Sequence, residues 1–260
     1  MIYETTLYSF ISGIIFCLFH LVSKIIYPYF FSTKNQKKYG LIFNEILFFT
    51  VLLISIYACF INYGNTIFII LFPIFAFLIV KTKNYKKFKL KNHYSIKDFL
   101  TMFMLCQIVG LVYIFYPLED VIEQDTLFYS RIGENLHLYL RENLFNFFNY
   151  LDKYNGNNPY HYFELYLNNM LYQFLGNYIP NIIILKHIVY VFLTSLLVYG
   201  IYGIIECFIK IRWYHFFVPL FLLLCDFSWT SNWFTTIYPI NTVIFQNPKF
   251  LNYSLFCISF

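Results

Sequence analysis

Residues 182–208 read IIILKHIVYVFLTSLLVYGIYGIIECF, and only Lys186 and Glu206, near the two ends, carry a formal charge. About 20 apolar residues rising 1.5 Å each cross the roughly 30 Å hydrocarbon layer of a bilayer. This run is long enough to do so. Four others precede it, at Leu7–Tyr29, Leu41–Ile61, Thr66–Val80 and Phe99–Tyr116, and Trp213–Trp229 follows. Hydrophobic residues make up 60% of the 260-residue chain and charged residues 12%, with mean hydropathy +0.60. A soluble domain carries about 25% charged residues. The sequence therefore predicts an all-α, polytopic transmembrane helical bundle.

Nothing basic precedes the first run, and no small-residue cleavage site follows it, so it reads as a retained helix and not a signal peptide. Asn62-Tyr63-Gly64-Asn65 reads as a tight turn between the second and third runs. Glu45, near the start of the second run, is expected to reach the interface. All six cysteines fall in or beside apolar runs, with no metal or redox spacing, and read as packing residues. The chain stops within another apolar run, Phe250–Phe260. A partial span would leave backbone groups unsatisfied in lipid, so the sequence reads as the amino-terminal part of a longer protein.

The basic residues set the expected orientation. Thirteen of the eighteen Lys and Arg follow the first, third and fifth runs, seven of them within KTKNYKKFKLKNHYSIKD, residues 81–98. Beside membrane spans, such a stretch is a cytoplasmic loop against anionic lipid and not a nucleic-acid site. The partners expected are membrane lipids, and no nucleic acid. The positive-inside rule places the amino terminus outside. Three regions result: 1–116, four transmembrane helices with cytoplasmic basic loops; 117–181, an external acidic loop; and 182–260, further transmembrane helices.

The external loop holds eight of the thirteen acidic residues. It contains YPLEDVIEQDTLFYSRIGENL, residues 116–136, and NNPYHYFELYL, residues 157–167. On a helix at 100° per residue, Gln124–Glu142 places Leu127, Phe128, Ile132, Leu136, Tyr139 and Leu140 on one face. Arg131, Glu134, His137, Arg141 and Glu142 fall on the other. This is the pattern of an amphipathic helix lying in a membrane interface. Asp125 breaks it, falling on the apolar face beside Phe128, Tyr129 and Ile132. It can cap the helix, or stand as a carboxylate at the water–lipid boundary able to take a proton from a hydroxyl. Glu119, Asp120 and Glu123 could bind a divalent cation or do acid–base work. Their spacing matches no calcium loop, and a solvated loop end is the competing reading. Pro159 can open a helix on which His161 and Glu164, three apart, share a face. Such a pair can hold a phosphate, a sugar hydroxyl or a metal, though two ligands do not define a metal site; it can equally be structural.

The order of these features resembles the GT-C membrane glycosyltransferases. An acidic external segment leads into Asp-x-x-Phe-Tyr on an amphipathic helix, and a Pro/Tyr/His-rich patch precedes the next span. DTLFYSRIGENL, residues 125–136, and NPYHYFELYL, residues 158–167, are most similar to bacterial members. The resemblance is close over Pro117–Gly176, and elsewhere extends only to the pattern of spans. It implies a multi-pass protein of the bacterial inner (plasma) membrane. It further implies a polyprenyl-phosphate-linked sugar donor and a glycan or lipid acceptor, with an Asp or Glu early in the external loop as catalytic base. Here the loop follows the fourth span and not the first, and the base stays open between Asp125 and Asp120. Glu123, Arg131, Lys153, His161 and Glu164 are the expected substrate contacts, with His161 ranked above Arg131 because Arg131 lies away from Asp125 on the helix wheel. No resident cofactor is implied beyond a divalent cation at the carboxylates. A polysaccharide polymerase or ligase, a transporter or flippase, and a non-catalytic membrane subunit are the alternatives.

Overall fold

Four of the apolar runs fold as helices long and apolar enough to cross a membrane: Thr6–Tyr29, Lys38–Ile61, Ile96–Tyr113 and Asn181–Phe208. The computed structural model describes residues 2–31, 36–63, 96–115, 120–139, 163–211, 226–229 and 235–238, with the single positions 215 and 218. We number the helices α1 (Ile2–Ile26), α2 (Lys38–Tyr63), α3 (Ile96–Phe115), α4 (Asp120–Tyr139), α5 (Phe163–Leu175) and α6 (Asn181–Phe208). Helix α1 gives way to a 3-10 turn at Tyr27–Tyr29, where Pro28 lacks the N–H that would continue it. Asn62 and Tyr63 belong to α2, so the expected turn there does not begin before Gly64. The run Thr66–Val80 lies outside the described residues, as does the basic stretch up to Ser95.

Contacts along the helices fix their directions. Ser12 of α1 donates to the Ile188 carbonyl of α6 at 3.1 Å, and Phe16 packs on Phe192 with ring centroids 5.3 Å apart, so α1 and α6 run parallel. Gln107 of α3 reaches the Ser9 carbonyl, while Cys17, two turns further along α1, faces the Phe99 carbonyl near the start of α3. These two helices are antiparallel. Lys38 at the start of α2 pairs with Asp98 at the start of α3 at 2.5 Å, so α2 and α3 begin at the same end of the bundle. The sequence reading places a further span, Thr66–Val80, between them, outside the described residues.

That shared end is closed by reciprocal caps. Lys37 donates to the Glu206 and Cys207 carbonyls, the last of α6, and the Glu206 carboxylate accepts the Tyr39 N–H of α2 at 2.8 Å. A cation meets carbonyls at one helix terminus and an anion meets amides at the other, both favoured by the helix dipoles. Lys24, Lys37, Lys38 and Lys97 gather here, the end the basic-residue count assigns to the cytoplasm. That assignment predicts that single cysteines at Asn84 and Asn157, in a thiol-free background, label from opposite sides of intact cells. Labelling of both by an impermeant reagent would reverse it.

The outer surface confirms the membrane class. Leu7, Phe10, Ile14, Leu18, Leu21 and Ile25 are all exposed and recur every three or four residues along α1. Ile96, Leu100, Met104, Ile108 and Leu111 do the same on α3. A soluble helix carries polar residues on that face; here the solvent that accepts it is lipid. Helix α6 lies at the centre, buried from Ile184 to Gly203 apart from Lys186 and Ile201. Small residues let the backbones close in: Gly40 meets Gly203, and Gly110 lies against Ser9.

Two sequence expectations need correction. Glu45 does not reach the interface; it is 2% exposed and faces His20. The run Trp213–Trp229 does not end as a helix. Asp226–Trp229 is a strand paired antiparallel with Thr235–Tyr238, with Asp226 opposite Tyr238 and Trp229 opposite Thr235. Aromatic and Thr-rich segments favour strand.

Candidate functional site

Helix α4 forms as the amphipathic pattern requires but starts earlier, at Asp120. The stretch Asp120-Val121-Ile122-Glu123 contains no helix breaker, and its carboxylates suit the positive end of the dipole. Asp125 therefore stands in the second turn, and the capping reading for it is corrected: the helix begins five residues upstream. About 140° of helix rotation separates positions 120 and 125, so the two candidate bases cannot share a face, whereas 120 and 123 can. The side chains of Asp120, Glu123 and Asp125 lie outside the described residues, as do Lys153 and His161 altogether. Arg131 is exposed, on the side opposite the buried stripe.

The buried stripe of α4 is Thr126, Tyr129, Ser130, Ile132, Gly133 and Leu136. It is smaller and more polar than the face expected from the sequence; Leu127 and Leu138 point outward at 39% and 68% exposure. Position 125 falls one turn before Tyr129 and two before Ile132, in register with this stripe.

What α4 packs against explains the small residues. A Cβ on Gly133 would lie 3.0 Å from Asn168 Nδ2 of α5 and 3.1 Å from Asn181 Nδ2 at the start of α6. His137 meets the Tyr172 ring edge-on, 5.1 Å between centroids. The two contacts share one offset, so α4 and α5 run parallel, and Tyr129 is level with Glu164. Both helices thus bring a carboxylate-bearing first or second turn to the same end: Asp125 on α4 and Glu164 on α5. Glu164 is fully buried, not at the open surface a simple phosphate contact would suggest.

Behind Glu164 runs a chain of amides that the sequence reading missed. Asn168 Nδ2 donates to Asn181 Oδ1 at 2.8 Å, and Asn181 Nδ2 donates to the Ser130 carbonyl at 2.5 Å. All three residues are buried. Their signal was present: Asn168-Asn169 interrupts an apolar stretch, and Asn181 follows Pro180 at the mouth of a span. The chain ties α4 to α5 and α6. Asn181→Ala strands one buried donor and one buried acceptor, each costing about 1–3 kcal/mol. Unfolding of the full chain in detergent should show a loss within that range. A change below about 0.5 kcal/mol, the ordinary scatter of surface substitutions, would mean that the amides hold nothing.

After Asn181 the helix widens into a π-helical stretch, Ile184–Val189. Such turns are rare and concentrate at functional sites. This one buries His187 beside Tyr8, ring centroids 6.4 Å apart. Among the described residues, no three His, Cys, Asp or Glu side chains assemble into a metal-holding group. Comparison of the chain with protein-family models, with curated proteins and with solved structures gives no match to any of them.

Proposed function

We propose that this chain is a membrane glycosyltransferase of the GT-C type, acting at the outer face of a bacterial plasma membrane. It moves a sugar from a polyprenyl-phosphate donor to a hydroxyl of a glycan or lipid acceptor in cell-surface glycan synthesis. The observation that carries the reading is the parallel pairing of α4 and α5. It sets position 125 and the buried Glu164 towards one end of two packed helices, both of which contact the first turns of α6.

In this reading Asp125 accepts the proton of the acceptor hydroxyl as its oxygen bonds to the sugar's anomeric carbon. The bond from that carbon to the phosphate oxygen breaks, and the polyprenyl phosphate leaves with the bonding electrons. A positioned carboxylate of this kind contributes about 10²–10⁴-fold. His161, Lys153 and Arg131 are the groups available to the departing phosphate by charge-assisted contact, and Glu123 and Glu164 to sugar hydroxyls. Arg131 ranks last, because it is exposed on the side away from position 125. Asp120 remains the rival base. Polymerisation or ligation of lipid-linked oligosaccharides would use the same groups with a larger acceptor.

One observation favours a second reading, a transporter or flippase: the ionisable pair His20–Glu45 is buried inside the bundle. The deciding experiment incubates vesicles holding the full-length protein with a radiolabelled polyprenyl-phosphate sugar and an acceptor. Release of polyprenyl phosphate with formation of a new glycoside supports transfer. Movement of intact donor between leaflets, without release, sinks transfer in favour of transport.

A further inference from the structure

The end of α6 and the first residues of α2 frame an open cavity of about 480 Å³, whose wall includes Lys37, Tyr39, Glu206, Phe208, Ile209 and Lys210. Span α6 ends at Phe208, so the cavity opens where the hydrocarbon layer gives way to headgroups. It lies at the other end of α6 from the amide chain, roughly 35 Å along the helix from Asn181.

The wall has two unlike halves. Phe208 and Ile209 are 83% and 48% exposed. Water pays for contact with such side chains, whereas acyl chains accept them freely. Tyr39, its ring against Tyr199 and Tyr202, adds an aromatic surface of the kind enriched at headgroup level. The other half is cationic. Lys37 donates to the Glu206 and Cys207 carbonyls, which occupies two of its three N–H groups and offsets only part of its charge. The Glu206 carboxylate is the anion in the wall, and it accepts the Tyr39 N–H at 2.8 Å. Lys210 is exposed and forms no ion pair among the described residues. Two ammonium groups against one carboxylate leave the cavity net positive.

A ligand for both halves is anionic at one end and apolar at the other. A free anion would leave Phe208 and Ile209 in water, and a zwitterionic lipid would bring a second cation towards Lys210. An acidic phospholipid satisfies both, and basic pockets between spans hold such headgroups. We propose that this cavity binds an acidic phospholipid of the phosphatidylglycerol type, its phosphate held by Lys210 and Lys37 and its acyl chains laid along Phe208 and Ile209. The site is independent of glycosyl transfer.

The test is native mass spectrometry of the full-length protein in detergent, titrated with phosphatidylglycerol or with phosphatidylcholine of the same acyl chains. The wild type should retain phosphatidylglycerol in preference. Lys210→Gln should weaken that retention by about fivefold, the worth of one lysine near an anionic surface, and Lys210→Arg should restore it. Lys97→Gln removes a charge at the same end but outside the cavity, and should leave retention unchanged. Equal losses in Lys97→Gln and Lys210→Gln would mean diffuse attraction to the basic end and would overturn the proposal, as would a wild type that does not prefer phosphatidylglycerol. Displacement of the lipid by excess inorganic phosphate would assign the cavity to a free anion and refute the lipid. If Lys210→Gln does not accumulate, Phe208→Ser decides from the apolar half: weaker retention supports the site, and retention at the wild-type level refutes it.

Discussion

Asp125→Asn should lower sugar transfer by roughly 10²–10⁴-fold, the contribution typical of a positioned general base, while the protein still folds and inserts. The substitution keeps the shape of the side chain and removes its basicity. Its position isolates the chemical effect. Helix α4 begins at Asp120, so residue 125 supplies no cap whose loss could mimic an activity defect. Asp120→Asn is the paired control, because the two positions lie on different faces of the same helix and cannot substitute for each other. A carboxylate in the first turn is worth about 0.3–1 kcal/mol through the helix dipole, so Asp120→Asn should be nearly silent for transfer if Asp120 is only the first residue of α4. An active Asp125→Asn enzyme beside an inactive Asp120→Asn enzyme moves the base to Asp120. Full activity in both removes the carboxylate-base mechanism altogether.

The second large effect concerns the crossing of α2 and α6. A Cβ on Gly203 would stand 2.7 Å from Gly40 Cα and 3.0 Å from Gly40 N. Both are backbone atoms that cannot rotate away, so the helices must separate. Separation strains the caps nearby, where Lys37 meets the α6 carbonyls and Glu206 meets the Tyr39 amide. Gly203→Ala should therefore destabilise by about 1–3 kcal/mol, the range for overpacking a close-packed site. Helix propensity alone predicts the opposite sign, a gain of roughly 1 kcal/mol for replacing Gly in a helix interior. The reciprocal position makes the comparison sharper. A Cβ on Gly40 meets only Gly203 Cα, at 3.7 Å, an ordinary contact. Gly40→Ala should be neutral or stabilising. Equal effects at the two positions, measured by thermal unfolding in one detergent, would contradict the close crossing.

The sequence determined the fold class and the ends of the described spans to within a few residues. The reason is that the bilayer imposes one condition on every residue of a span: its side chain must be apolar or hidden and its backbone bonded internally. A condition applied locally, residue by residue, can be read locally. The same holds for the existence of α4, whose amphipathic period needs no partner to be seen.

Only the tertiary structure decided what faces what. Glu45 looked like an interfacial residue because it stands near the start of a run; His20, from another helix, makes its position an interior one. Asn168, Asn169 and Asn181, which the sequence reading passed over, interrupt or border apolar stretches. Two of them become a chain of hydrogen bonds when α5 and α6 bring them together over Gly133. The face of α4 predicted from hydrophobicity included Leu127, but the buried face is the smaller one through Thr126, Ser130 and Gly133, because α5 and the start of α6 approach closely there. Gly203 differs from Gly40 for a similar reason: which Cβ vector points into the crossing depends on how the two helices are rotated. Helix rotation and partner choice are set by contacts between residues far apart in the chain, and a reading that moves along one segment at a time contains no term for them.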